Sequence, residues 1–269
     1  MKTELKTMLA LVGLIIFGTS ANAQGIKLGE VIMISASSLK KEVKQDAFED
    51  CIKKITPAWN KKKKGIEMQL FKADRGGRKG EDLLVCSASK LSDRTALNTG
   101  SPFTDMSLDA TSDSSCRPSG FLINPNNYTE YQLIGLDKFK SMPVVGILGI
   151  HFIKVKKEKS QEFEKLVIDK LHPAVGQLFP DLQLLYYEAV AGDNAGTYIT
   201  IFALESMAAR DKYWPGGKDA EILKQAFKPL QDLAKELEPY LIEGSFLEPT
   251  TGAAAAYFES REWTDFVIQ

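Results

Sequence analysis

The chain states one structural plan twice, and this internal repeat restricts its fold more than any motif does. Residues 48–88 and 163–204 each read as an amphipathic helix with a proline in it, then a strand, a glycine-rich turn and a returning strand. From Ile66 onward the copies align at a constant spacing of 116 residues, so that Ile66 matches Leu182, Gly76 matches Gly192 and Gly80 matches Gly196. The start of the helix fits a spacing one residue shorter. A unit repeated at this length identifies an architecture before it identifies any chemistry.

The second copy is the more complete. Residues 145–155 are β-rich, and a helical pattern follows from Ser160 with Phe163, Leu166, Val167 and Leu171 on one face. Pro173 interrupts that helix and Pro57 interrupts its counterpart, which predicts a kink or a restart, since an interior proline removes a hydrogen bond and clashes with the preceding turn. Strands are predicted over 182–190 and 197–204, helix over 206–213 and 218–237, and a closing strand over 241–247. The order β-α-β-β-α-β is the ferredoxin-like arrangement of an α+β fold. The first copy follows the same order to Ala88 and closes with a strand over 128–135. Between them, residues 98–127 are rich in Ser, Thr, Asp, Asn, Pro and Gly and read as a long loop, as decoration or disorder rather than a lid. The organisation expected is one repeat over 24–142, with 137–142 as its link to a second over 143–250. Residues 251–269 form a tail whose Phe258, Trp263 and Phe266 can pack back onto the body.

Residues 1–23 have the form of a secretory signal: Lys2 and Lys6, an apolar run over 9–18, and Ala21-Asn22-Ala23 as a small-x-small cleavage site. The apolar run is shorter than the roughly 20 residues that span a bilayer, and no lipid-anchor cysteine follows the cut. The expectation is a periplasmic or secreted protein without an integral membrane anchor. With 34 basic against 35 acidic residues, the charge balance argues against a nucleic-acid partner held by charge. Cys51 and Cys86 align with apolar positions of the second copy and read as small core residues, while Cys116 lies in the polar loop and reads as exposed. Spacing alone establishes no disulfide among the three.

At Phe202-Ala203-Leu204-Glu205-Ser206-Met207-Ala208-Ala209-Arg210-Asp211-Lys212-Tyr213-Trp214 the chain resembles NIPSNAP and antibiotic-biosynthesis-monooxygenase sequences. In these a strand ends in an aromatic-Glu-Ser step and enters a helix of small residues and an arginine. Leu171-His172-Pro173 on the kinked helix supports the same comparison. The resemblance implies the dimeric α+β-barrel superfamily, with two tandem ferredoxin-like units closing one barrel inside a single chain, a monomeric pseudo-dimer. It carries over no catalytic set, because the chain holds no complete family active-site motif, and since the superfamily holds monooxygenases, haem-handling enzymes and proteins of other activities, fold alone does not choose among them.

Strand alternation separates two faces. Ile66, Met68 and Leu70, matching Leu182, Leu184 and Tyr186, form the apolar set expected under the helices. Glu67, Gln69 and Phe71, matching Gln183, Leu185 and Tyr187, are expected to line the barrel interior. Tyr198 and Thr200 on the returning strand, and His151 matching Ser35 on the first, are assigned to that same interior. The result is a predicted cavity of His151, Gln183, Tyr187, Tyr198 and Thr200, with Glu67 and Gln69 opposite. Satisfied polar groups in a filled interior are the competing reading. His151 is the candidate base or haem ligand, and His172, beside the helix break, is structural.

Other chemistries find no pattern. There is no H-E-x-x-H, no paired CxxC and no G-x-S-x-G, and the glycine turns join strand to strand rather than strand to helix. The run Lys61–Lys64 is a solvated helix end, and Asn127-Tyr128-Thr129 is a sequon whose use depends on the source. Two readings stay open: an exported protein that binds a small, partly hydrophobic ligand in the barrel, and a monooxygenase-like or haem-handling enzyme. In a variant of either, only the second copy keeps a site and the first is a scaffold.

Overall fold

The computed structural model describes residues 25–75, 79–97, 101–109, 116–135, 143–179, 182–192, 196–215, 230, 232–233, 235–242 and 264–269. The predicted signal at 1–23, the link at 137–142, most of the predicted helix 218–237, and Phe258 and Trp263 lie outside these residues.

Eight strands close into one antiparallel barrel, and its order explains the repeat. The first half contributes β2 (Val31–Ala36), β3 (Ile66–Arg75), β4 (Asp82–Ala88) and β5 (Thr129–Leu133). The second contributes β7 (Ile147–Ile153), β8 (Gln183–Gly192), β9 (Tyr198–Leu204) and β10 (Thr264–Ile268). Around the barrel they run β5-β2-β4-β3, then β10-β7-β9-β8, and β8 pairs back to β5. Each half places its four strands in the same order. The spacing of 116 holds in the hydrogen bonds themselves: Met68 pairs with Cys86 as Leu184 pairs with Phe202. Gly80 N–H donates to Ala73 O, and Gly196 N–H to Ala189 O, each at 2.8 Å. Both glycines have positive φ, 90° and 84°, a backbone region costly to other residues.

The strand filling the last position is not the one expected. Leu241 forms a single bridge to Val155, and residues 243–247 lie outside the described set. The slot between β3 and β7 is taken by β10, from the stretch read as a tail. Thr-Asp-Phe-Val-Ile is rich in the β-branched and aromatic residues that suit a pleated ladder. Two lead-in segments, β1 (Ile26–Lys27) and β6 (Val144–Val145), pair with each other, and Ile26, Leu28 and Val145 join the interior cluster at that end of the barrel.

The helix layers differ between halves. In the first, α1 (Gln45–Lys62) runs unbroken through Pro57, which lies on the solvent side, and buries Phe48, Ile52 and Trp59 against the sheet. The segment read as a polar loop contains α2 (Pro102–Asp109) and α3 (Pro118–Phe121) and docks on α1. The Phe48 ring lies 5.9 Å from Phe103 and 6.2 Å from Phe121, Trp59 donates to Asp105 at 3.2 Å, and Lys63 pairs with Asp105 at 2.9 Å. Cys51 on α1 is disulfide-bonded to Cys116, which is buried. Cys51 is in the core as read but is paired, and Cys116, read as exposed, is buried. The loop's composition hid a few apolar anchors, and a paired cysteine looks like a core residue in an alignment.

In the second half, α4 (Ser160–Leu166) passes into a π-helical turn (Val167–Leu171) and resumes as α5 (His172–Leu178). His172 N–H reaches Val167 O, five residues back. The turn sits where the copies change spacing from 115 to 116: Ile52 matches Val167, and Thr56 matches His172. One inserted residue has been absorbed as a π-bulge.

Candidate functional site

The predicted cavity residues are divided between two sides of the sheet. Glu67, Gln69, Gln183 and Tyr187 share the interior-facing alternation with Phe71 and Leu185, as expected. His151, Tyr198 and Thr200 do not. Tyr198 pairs across the ladder with Glu188, and Ile199 pairs with Tyr187, so the hydroxyl-bearing residues of β9 point to the helices and the isoleucines point inward. The assignment failed because it took the more polar side chains for the interior. The barrel interior is the more apolar layer, filled by Ile34, Phe71, Leu148, Leu185, Tyr187 and Ile201 among others in one buried cluster.

The four interior polar residues do not converge on a pocket either. Glu67 is exposed and accepts the Lys27 N–H at 2.9 Å. Gln69 and Gln183 are half-buried, with Gln183 Oε1 enclosed and without a hydrogen-bond partner. Tyr187 donates to Gly29 O at 3.0 Å, and burial pushes its phenol well above the usual range.

Beneath the kinked helix of the second half lies the more distinctive arrangement. His151 on β7 stands opposite Thr200 on β9, which stands opposite Tyr186 on β8. His151 and Thr200 are both 0% exposed, and Tyr186 is 2%. Burial pushes the His151 imidazole down to about 4, so at neutral pH it is uncharged. Thr200 Oγ1 has no hydrogen-bond partner among the described residues. Phe163, Val167, Leu171 and Val175 of the overlying helix belong to the apolar cluster that encloses this layer. The matching positions of the first half are Ser35, Leu84 and Leu70, beneath a helix with no π turn. Ser35 is equally buried and its hydroxyl is also unpartnered. A buried hydroxyl without a partner costs about 1–3 kcal/mol, so the same ladder row carries that cost in both copies, from opposite strands of the pair: Ser35 in the first and Thr200 in the second.

One row along, Tyr198 donates to Glu164 Oε1 at 2.7 Å and meets the Phe163 ring at 5.0 Å. His172 is half-buried and its imidazole is lowered by burial; it sits at the junction of the π turn and α5. Among the described residues, no group of three or more His, Cys, Asp or Glu could hold a metal ion, and no helix is long and apolar enough to cross a membrane.

Sequence reasoning passed over the charged residues of the helix layers. Glu49 and Glu164 align at a spacing of 115, and Lys72 and Glu188 at 116. Extending the repeat from glycines and apolar positions to these charges would have found them. Asp105 lacked any such signal, because its segment has no second copy.

No protein-family profile matches the chain, and no curated protein matches it. Solved structures do. A proposed monooxygenase from Lactobacillus acidophilus NCFM is 10% identical, with 88% of this chain and 93% of that chain covered and a TM-score of 0.48. An anthrone oxidase-like protein is 11% identical, over 93% and 94% of the two chains, at 0.46. A chlorite dismutase from Candidatus Nitrospira defluvii is 8% identical, over 90% and 91%, at 0.41. All three scores lie below 0.5, and the fold rests on the strand order alone.

Proposed function

We propose that the protein is an exported, internally duplicated ferredoxin-like barrel that binds a small, partly hydrophobic molecule beneath the kinked helix of its second half. One observation carries this reading: three differences between the copies fall together in one layer. Ser35 is replaced by His151, Leu84 by Thr200, and the regular α1 by a helix with a π-bulge, all in a single layer. Stability alone does not call for the pair His151 and Thr200, since the first half fills the matching positions with Ser35 and Leu84, and π-bulges recur at functional sites. A neutral imidazole and a hydroxyl in an apolar layer offer a ligand a few directional hydrogen bonds within largely apolar contact. The π turn is where the helix would yield to admit it. The buried disulfide agrees with an oxidising compartment, as the expected signal at 1–23 would require.

A monooxygenase-like or haem-handling activity has less support. An imidazole near 4 is a weak base at neutral pH, and His151 is wholly covered by protein, leaving no open face for a porphyrin. His151 in this setting does not fit a haem. The site reading is tested by thermal-shift measurement against a panel of small amphipathic compounds, with Thr200→Val and His151→Phe as variants. A compound that stabilises the native state raises its melting temperature. The expected result is a saturable shift in the natural chain that both variants weaken. A shift that neither variant changes, or the absence of any shift across the panel, would overturn the reading.

A further inference from the structure

The duplication lets one half report on a site in the other. In the first half, Lys72 on β3 pairs through Nζ with Glu49 Oε1 of α1 at 2.7 Å. Asp82 stands opposite Lys72 across the ladder and accepts from Gln45 at 3.2 Å. An ammonium group is therefore held among carboxylates, between the start of the helix and the sheet. The second half repeats the arrangement position by position. Glu164 answers Glu49, Ser160 answers Gln45, Tyr198 answers Asp82, and Glu188 answers Lys72.

The helix carboxylate remains, as Glu164, while the cation has gone. Tyr198 is bonded to Glu164 at 2.7 Å and interacts with Ser160, and Glu188 brings a second carboxylate where the lysine stood. Neither Glu164 nor Glu188 has an ion-pair partner among the described residues. Both are half-buried, so a solute can reach them. Burial first, and then the charge of Glu164, raise the Glu188 carboxyl. Tyr198 brings the two together, pairing with Glu188 across the ladder and bonding to Glu164, and two carboxylates gathered in a partly buried layer attract a cation.

We propose that Glu164 and Glu188 form a binding site for the primary ammonium group of a small molecule, taking the place that the Lys72 ammonium holds in the first half. The equivalent glutamate already accepts an ammonium N–H at hydrogen-bond distance in its own copy, so the geometry suits N–H donors rather than a bare metal ion. The site lies one ladder row from His151 and Thr200 and does not depend on the function proposed for them.

The test uses the full chain and butylammonium chloride as the probe, with sodium chloride and tetramethylammonium chloride at equal ionic strength. Tetramethylammonium has the charge and no N–H donor. Saturating butylammonium is expected to raise the melting temperature by about 2–4 °C above both controls. Glu188→Lys, which rebuilds the arrangement of the first half, is expected to melt higher than the natural chain and to lose the response. Glu188→Gln is expected to lose the response alone, and it decides the matter if the lysine variant does not fold. A response equal to the salt controls would overturn the proposal. So would one that persists in both variants, or stabilisation by calcium chloride without any by butylammonium.

Discussion

Arg210 joins the two halves by reaching Asp74 across the join between β3 and β10, with Nη1 2.8 Å from Oδ2. Asp74 is the extra residue of a β-bulge: Arg75 pairs with Asp265 and Ala73 with Phe266, leaving it outside the ladder. The other join bulges at the matching residue, Val190, because Ala191 pairs with Glu130 and Ala189 with Tyr131. Arg94, 116 positions before Arg210, turns to Glu130 instead. A bulge that frees a side chain from the ladder, and an arginine that collects it, pin the last strand in place.

The buried side of this pair sets the expected asymmetry. The Arg210 side chain is 7% exposed and that of Asp74 is 47%. Arg210→Ala therefore removes packing and hydrogen bonding as well as charge, and should destabilise more than Asp74→Ala. A double-mutant cycle by urea denaturation should give a coupling of about 1 kcal/mol. Equal losses from the two single variants would show that the arginine contributes nothing beyond this contact.

How far the sequence could be read follows from which residues the two halves share at the constant spacing. Gly80 and Gly196 announced two identical hairpins, and the alternation of Ile66, Met68 and Leu70 placed the helix-facing side correctly. The returning strand misled because Tyr198 and Thr200 are amphipathic and either face could take them. Their phase is fixed only by pairing with Glu188 and Tyr186. Thr264–Ile268 was misplaced for another reason: what makes it a barrel strand is a gap between β3 and β7, a property of distant residues. The π turn, in contrast, was present in the sequence as a change of spacing by one. An inserted residue in a helix must either loop out or widen a turn, and alignment alone does not say which.

The disulfide between Cys51 and Cys116 should be the largest single stabilising link of the first half. It closes a separation of 65 residues, which in the chain-entropy account corresponds to about 4 kcal/mol. Cys116→Ser should lower the urea midpoint accordingly. Cys86 is fully buried, which pushes its thiol up and leaves it unreactive. A thiol reagent should therefore find no reactive cysteine in the native protein and one after denaturation without reductant. Three after denaturation would mean that the bridge is absent.

Two glycines with similar backbone angles should respond differently to alanine. Gly192 and Gly196 have φ of 89° and 84°. A Cβ at Gly196 meets nothing within 4 Å, so Gly196→Ala should cost only the backbone strain, about 1–2 kcal/mol. At Gly192 a Cβ would fall 2.1 Å from Tyr128 O, in the ladder joining β8 to β5. Gly192→Ala should therefore be the more destabilising by a clear margin, and should loosen that join. Equal melting temperatures for the two variants would place the two strands farther apart than described.

Opposed titrations should leave the natural chain with little dependence of stability on pH in the mildly acidic range. Burial lowers His151 to about 4 from an unfolded value of about 6.5, so the unfolded chain binds its proton more readily. Its contribution is lost as pH falls from about 6.5 to about 4, on the order of 3 kcal/mol. Asp82 behaves in the reverse sense. Burial first, and then the charge of Glu49, raise it to about 6, and the folded chain holds the proton longer than an unfolded aspartate near 3.9. Stability from this group falls as pH rises from about 4 to about 6, by a similar amount. Asp82→Asn should then expose the His151 slope, with stability climbing from pH 4 to 6.5, and His151→Phe should expose the opposite slope. Urea denaturation at half-unit intervals separates them. If both variants follow the pH profile of the natural chain, neither group is buried as the structure places it.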